Sequence, residues 1–230
     1  RAELLSLIRL HHLSETFPHN VQDEAARTPQ SLDGEDLSRR LDLRAINCFT
    51  IDGRDARDFD DAVSIEETEE GWRLGVHIAD VSHYVRRGSL LDAEASKRGT
   101  SVYFPGLVLP MLPEELSNGI CSLNPQVDRL TLSCLMTLDA DGAVVGHTIV
   151  KSVIRTAERM TYEDCNVLLD PERLAESPSL GERYAPAQDR YFLLTHYHRD
   201  HLSGFQKLLE SREGYFSRVF LPRTPVDSHG

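Results

Sequence analysis

The chain has 230 residues and a formal net charge of −12, with 40% hydrophobic and 27% charged residues. This composition suits one large or two small globular domains, and the acidic balance weighs against a protein that grips nucleic acid over its whole surface. There is no apolar run of membrane-spanning length and no signal-peptide pattern, so no membrane contact is expected, and the opening on Arg1 rather than Met is what a fragment would show; the chain is expected to be a monomer and, with its cysteines reduced, cytoplasmic.

In chain order, Leu4, Leu5 and Ile8 lie on one broad apolar face and predict a helix over 3–12. Residues 13–41 are polar and acidic and read as short helices and connectors outside the core. Segments 46–51, 61–66, 72–79 and 100–104 are short, β-branched or aromatic, and bounded by Gly, Pro or charge, as strands are. Residues 89–98 open on Ser89 and stop at Gly99, a capped helix. The turn Asp139–Gly142 between 130–138 and 143–154 marks a hairpin. Thr161 starts a helix to about Leu169, and an irregular tail is expected from about residue 170. The fold class is α+β: a mixed, mostly antiparallel sheet with helices around it. Cys48, Cys121, Cys134 and Cys165 form no CxxC pair and read as reduced thiols, mostly core fillers, which sets aside a zinc ribbon or a disulfide scaffold.

The densest chemical signal is the run Asp52, Asp55, Asp58, Asp60 and Asp61, balanced only by Arg54 and Arg57. Crowded carboxylates hold protons more tightly and cost stability unless a cation joins them. Strand-like residues lie on both sides of the run, and Gly53 is expected to permit a tight turn. An EF-hand reading fails, because from Asp52 the sixth position is Arg57 and the twelfth is Val63. Spacing alone gives a hard-metal site or a solvated acidic loop. His77, Asp80, Ser82 and His83 mimic a hydrolase triad, but neighbours along a strand face opposite sides, so structural roles are expected for them.

TIDGRDARDFDDAV, VHIADVSHYV and SVYFPG, in this order, resemble the catalytic RNB domain of the RNase II/RNase R exoribonucleases, nearest the RNase R branch. The resemblance starts near Leu41 and is dense to about Tyr162. It implies 3′→5′ hydrolysis of single-stranded RNA to nucleoside monophosphates. It implies magnesium, or manganese in its place, held by Asp52, Asp58, Asp60 and Asp61 as metal ligands and catalytic residues, in a two-metal mechanism. Asp55 falls in a variable slot. Tyr103 matches the tyrosine that stacks on the terminal nucleotide. A further glutamate and an arginine of the family's domain have no counterpart here, nor do its cold-shock and S1 modules. The expected divisions are a helical lead-in at 1–40, a partial RNB domain at 41–187 and a tail at 188–230.

In that tail, His196, His198, Asp200 and His201 form an HxHxDH pattern after an apolar run. This resembles the metallo-β-lactamase fold, in which such a loop feeds two zinc ions. Only His229 follows as a further histidine. The alternatives to an exoribonuclease fragment are therefore a zinc hydrolase built on the tail or a non-catalytic RNA-binding remnant.

Overall fold

The computed structural model describes residues 2–69, 71–168 and 170–184, and the backbone of 191–193 and 218–220. Helices α1 (Ala2–Leu10) and α2 (His19–Ala26) open the chain. They lead to strands β1 (Leu41–Asp42), β2 (Cys48–Asp52), β3 (Asp61–Thr68) and β4 (Gly71–Ala79). A single turn, α3 (Val81–Tyr84), precedes α4 (Leu90–Arg98), and β5 (Val102–Phe104) with β6 (Leu107–Leu109) forms a small antiparallel ribbon. After a helical segment at Glu115–Ile120, kinked at Gly119, come β7 (Asp128–Leu138), β8 (Val144–Arg155) and β9 (Glu158–Thr161).

Seven strands form one sheet in the order β1-β8-β7-β4-β3-β2-β9. The edge pairs β1/β8 and β2/β9 are parallel and the others antiparallel, the mixed, mostly antiparallel α+β architecture expected. Ser89 caps α4 by accepting from the Asp92 amide, and Gly99, at φ 77°, ends it. The 139–142 hairpin is closed by Asp139, whose carboxylate accepts from the Asp141 and Ala143 amides.

Two expectations need correction. Residues 13–40 do enter the core: Val21 and Ala25 of α2 pack with Leu91, Leu116 and Ile120. An eight-residue helix shows too short a pattern for its buried face to stand out from polar flanks. The Pro- and Glu-rich stretch after 170 is not irregular. Following α5 (Tyr162–Leu168), it forms α6 (Pro171–Glu176) and α7 (Pro178–Arg183). Asp170 caps α6 and Pro171 suits its first turn, while Leu174, Leu180 and Tyr184 pack beside Phe49, Val63 and Met160.

The centre of one sheet face is polar. The Ser64 hydroxyl lies 3.0 Å from Nε2 of His77, and the Ser133 hydroxyl lies 2.6 Å from its Nδ1. Ser133 and Thr131 each bond Ser152. All but Ser64 of these five are fully buried. Gly75 makes room for the chain, since a Cβ there would sit 2.4 Å from the Ser64 hydroxyl. Burial pushes His77 down from 6.5 to about 4. Between those values the unfolded chain binds a proton that the native one does not. Stability present above pH 6.5 is therefore lost as pH falls towards 4, by about 3 kcal/mol from this group. Urea unfolding followed at Trp72, the single tryptophan and a buried one, should show the decline, and His77→Gln should flatten that window. An equal slope in both proteins would refute the assignment.

Candidate metal centre

The carboxylate run folds as a strand end, a loop and a strand start. Asp52 closes β2, Asp61 opens β3, and residues 53–60 join them. Because β2 and β3 are antiparallel neighbours, the two ends of the loop lie at the same end of the sheet's strands. Phe59 alone of the loop is fully buried, packed with Cys48, Ala62 and Leu123, so the loop is pinned through its middle. The carboxylates on either side of it, Asp58 and Asp60, stay towards the surface, as does Asp55.

The side chains act on one another. Asp52 is pushed up to about 6, by burial first and then by the charges of Asp61 and Asp58. Asp60 is raised by desolvation and then by Asp58 and Asp61. Oδ2 of Asp52 is buried with no hydrogen-bond partner, an arrangement that costs free energy while it lasts. A divalent cation relieves both penalties, and the donors are all hard oxygens of the kind magnesium takes. Among the described residues no three His, Cys, Asp or Glu side chains already converge as a ligand cage. Magnesium does not require one, since it keeps several waters and binds through one or two carboxylates plus substrate phosphate. The residues present fit the metal on these grounds.

Tyr103 is brought to the same place. It stands on β5 as a residue 63% exposed, and its hydroxyl donates to Oδ2 of Asp58 at 2.7 Å. That bond to a carboxylate holds the phenol up at about 12. A second tyrosine, Tyr162, escapes sequence reasoning. The parallel register sets Asp52 beside Thr161, so the next residue starts α5 at the cluster's edge. Burial, then Asp52 and Asp61, raise its hydroxyl. The four-residue strand ERMT that carries it there is too short and polar to signal itself.

Gly53 does not serve the role expected of it. It has no positive φ and open space where a Cβ would stand. Its contribution is its carbonyl, which accepts from the Ala56 amide at 3.0 Å and from Nη2 of Arg159 at 2.9 Å. An open cleft beside the loop is lined by Arg57, Phe59, Asn118, Asn124 and Arg159. The triad-like residues are structural: His77 sits within the sheet, Asp80 pairs with Arg40, and His83 reaches Glu35. The cysteines are free thiols. Those at 48, 121 and 165 are buried, and burial holds them well above the ordinary thiol range.

The protein-family model for the RNB domain matches residues 40–215. The chain belongs to the RNB-domain family. Ribonuclease R of Thermotoga maritima is 50% identical over 190 residues, 81% of this chain and 26% of that protein. Mycoplasma genitalium RNase R in complex with double-stranded RNA superposes with a TM-score of 0.70 at 28% identity, covering 82% of this chain and 35% of that one. The same enzyme in complex with ribose-methylated single-stranded RNA gives 0.63 at 30%, over 76% and 29%. This RNB chain spans about a quarter of the length of the curated relatives it matches. The family match takes in His196, His198, Asp200 and His201, which lie outside the described residues. Among the described residues, no helix of this RNB chain is long and apolar enough to cross a membrane.

Proposed function

We propose that the chain forms the metal-holding part of a 3′→5′ exoribonuclease of the RNase R type, which hydrolyses single-stranded RNA to nucleoside monophosphates. The observation that carries this reading is the set Asp52, Asp58, Asp60 and Asp61, within which burial and the neighbouring carboxylates raise Asp52 and Asp60 and a buried oxygen of Asp52 is left unpaired, in a chain of the RNB family. Magnesium, replaceable by manganese, would be held by these four aspartates. When bound, it supplies charge stabilisation and an activated water for in-line displacement at phosphorus. Asp52 and Asp61 present carboxylates from two paired strands, and Asp58 and Asp60 approach from the loop. Tyr103 offers an exposed ring against which the last base stacks without regard to its identity, and its hydroxyl keeps Asp58 oriented until the site fills. The protein is read as a cytoplasmic monomer.

Since the chain spans only part of its relatives, it should bind magnesium yet trim RNA slowly. A 5′-labelled single-stranded RNA with magnesium tests this by the ladder of products. Robust trimming by the isolated chain would overturn the second half of that statement, and RNA binding with no turnover at all would favour the remnant reading. In the same assay Tyr103→Ala should weaken RNA binding by about 5- to 150-fold, the equivalent of ~1–3 kcal/mol per stacked base. Tyr103→Phe keeps the ring and should bind as the unaltered chain does. Equal losses in both would assign the contact to the hydroxyl instead.

A further inference from the structure

The loop between β2 and β3 has eight residues, one buried side chain and no secondary structure of its own. Such a segment does not hold carboxylates in place unaided, because fixing each backbone residue costs conformational entropy. Its backbone partners show what holds it.

A single hydroxyl brackets Asp58. Oγ of Ser122 donates to the carbonyl of Arg57 at 2.8 Å and accepts from the amide of Phe59 at 3.0 Å. Ser122 is fully buried and sits 64 positions from the aspartate it brackets. The Leu123 amide then donates to the Phe59 carbonyl at 2.9 Å, and the Ala79 amide to that of Asp60 at 2.9 Å. Ser122 is itself fixed by Arg129, whose Nε donates to its carbonyl at 2.8 Å and whose Nη2 reaches the Gly119 carbonyl. At the other end of the loop Arg159 lies alongside β2. Its Nη2 donates to the carbonyls of Gly53 and Arg54, and its guanidinium stands over the Phe59 ring at 5.0 Å. It also places a positive charge near Asp52. The contacts fall on both flanks of Asp58 and on the residues following Asp52.

We infer that Ser122 and Arg159 are positioning residues of the metal centre, which hold the 53–60 loop so that its aspartates and Asp52 serve one position. The inference rests on the metal reading above and deepens it. Groups that orient metal ligands typically control 10- to 100-fold in metal affinity. Arg159→Lys separates charge from geometry, because a lysine keeps the cation but lacks the planar guanidinium that lies over Phe59 while its Nη2 meets both carbonyls.

The test is Mn2+ binding to the full chain, by titration calorimetry and by the electron paramagnetic resonance of bound Mn2+. Ser122→Ala and Arg159→Met should each bind Mn2+ about 10- to 100-fold more weakly, and Arg159→Lys should fall between them and the unaltered chain. Circular dichroism in EDTA reports whether each variant keeps its fold. Should Ser122→Ala fail to fold, Arg159→Lys and Arg159→Met decide. Ser117→Ala is the control: it removes a hydroxyl from the neighbouring turn whose partners among the described residues are Leu112, Pro113 and Asn118, and should leave the affinity unchanged. Wild-type affinity in Ser122→Ala and Arg159→Met, or an equal loss in Ser117→Ala, would overturn the inference. Absence of Mn2+ binding by the unaltered chain would instead overturn the metal reading beneath it.

Discussion

Asp52→Asn and Asp61→Asn should each weaken Mn2+ binding by more than ~100-fold, beyond what outer groups that only orient ligands cost. Asparagine keeps the shape and hydrogen-bonding oxygen of the carboxylate and removes its charge. The loss therefore measures electrostatics rather than a cavity. Folding in EDTA should respond with the opposite sign. Asp52 is pushed up to about 6 by burial and by its acidic neighbours, so at neutral pH its ionised form strains the native state. A folded-state value above the unfolded one means that stability is present at low pH and lost as pH rises towards 6. Asp52→Asn removes that penalty and should raise the urea midpoint of the metal-free protein at pH 7.5 while abolishing its rise with added Mn2+. This is the trade between stability and activity expected where like charges are gathered for a purpose. Unchanged Mn2+ affinity in both variants would remove these aspartates from the site.

Asp80→Ala should destabilise the fold by about 3–5 kcal/mol, the cost of stranding one partner of a buried ion pair. Nη2 of Arg40 donates to Oδ2 of Asp80 at 2.6 Å, and the two side chains are 7% and 3% exposed. Burial alone would raise the Asp80 carboxyl, yet the hydrogen bonds from Arg40 and Ser82 and the charge of Arg40 outweigh it and hold the group below its usual range. Arg40 also donates to the carbonyls of Thr131 and Ser152, so it ties the segment before β1 to the middle of the sheet. The double variant Arg40→Met/Asp80→Leu removes both charges and should cost much less than Asp80→Ala, because no uncompensated ion is left inside. Urea denaturation of the three proteins settles it: a double variant as unstable as the single one would show that the main-chain contacts of Arg40, rather than the pair, carry the energy.

The parts of this molecule visible in its sequence are those whose cause lies within a few residues. The acidic run stands out because the site takes most of its charge from one ten-residue stretch, and Ser89 and Gly99 announce α4 because caps are local. The 139–142 hairpin is legible for the same reason. What is missed depends on distant partners. Ser122 resembles any small core residue until the loop at 57–59 lies against it. Arg159 sits in a four-residue strand with Met160 as its one apolar side chain, a strand explained by the neighbouring β2. The helices after 170 were masked by Pro and Ser that mark their starts rather than a lack of order. Tyr103 could be singled out from SVYFPG, but its hydrogen bond to Asp58 could not, because the ribbon that carries it is not part of the main sheet.

The chain of hydroxyls around His77 has one more effect, on how the strands choose their alignment. A slip of β4 by a single residue would turn His77 outward and set Val76 or Ile78 against Ser64 and Ser133, taking from both buried hydroxyls the ring nitrogen each of them bonds. Purely apolar strands would forgive such a slip far more easily. The ladder that puts His77 opposite Ala62 also puts Ile78 opposite Asp61. The polar seam thus works as a key cut for one alignment, and by excluding the others it decides where the first carboxylate of β3 stands.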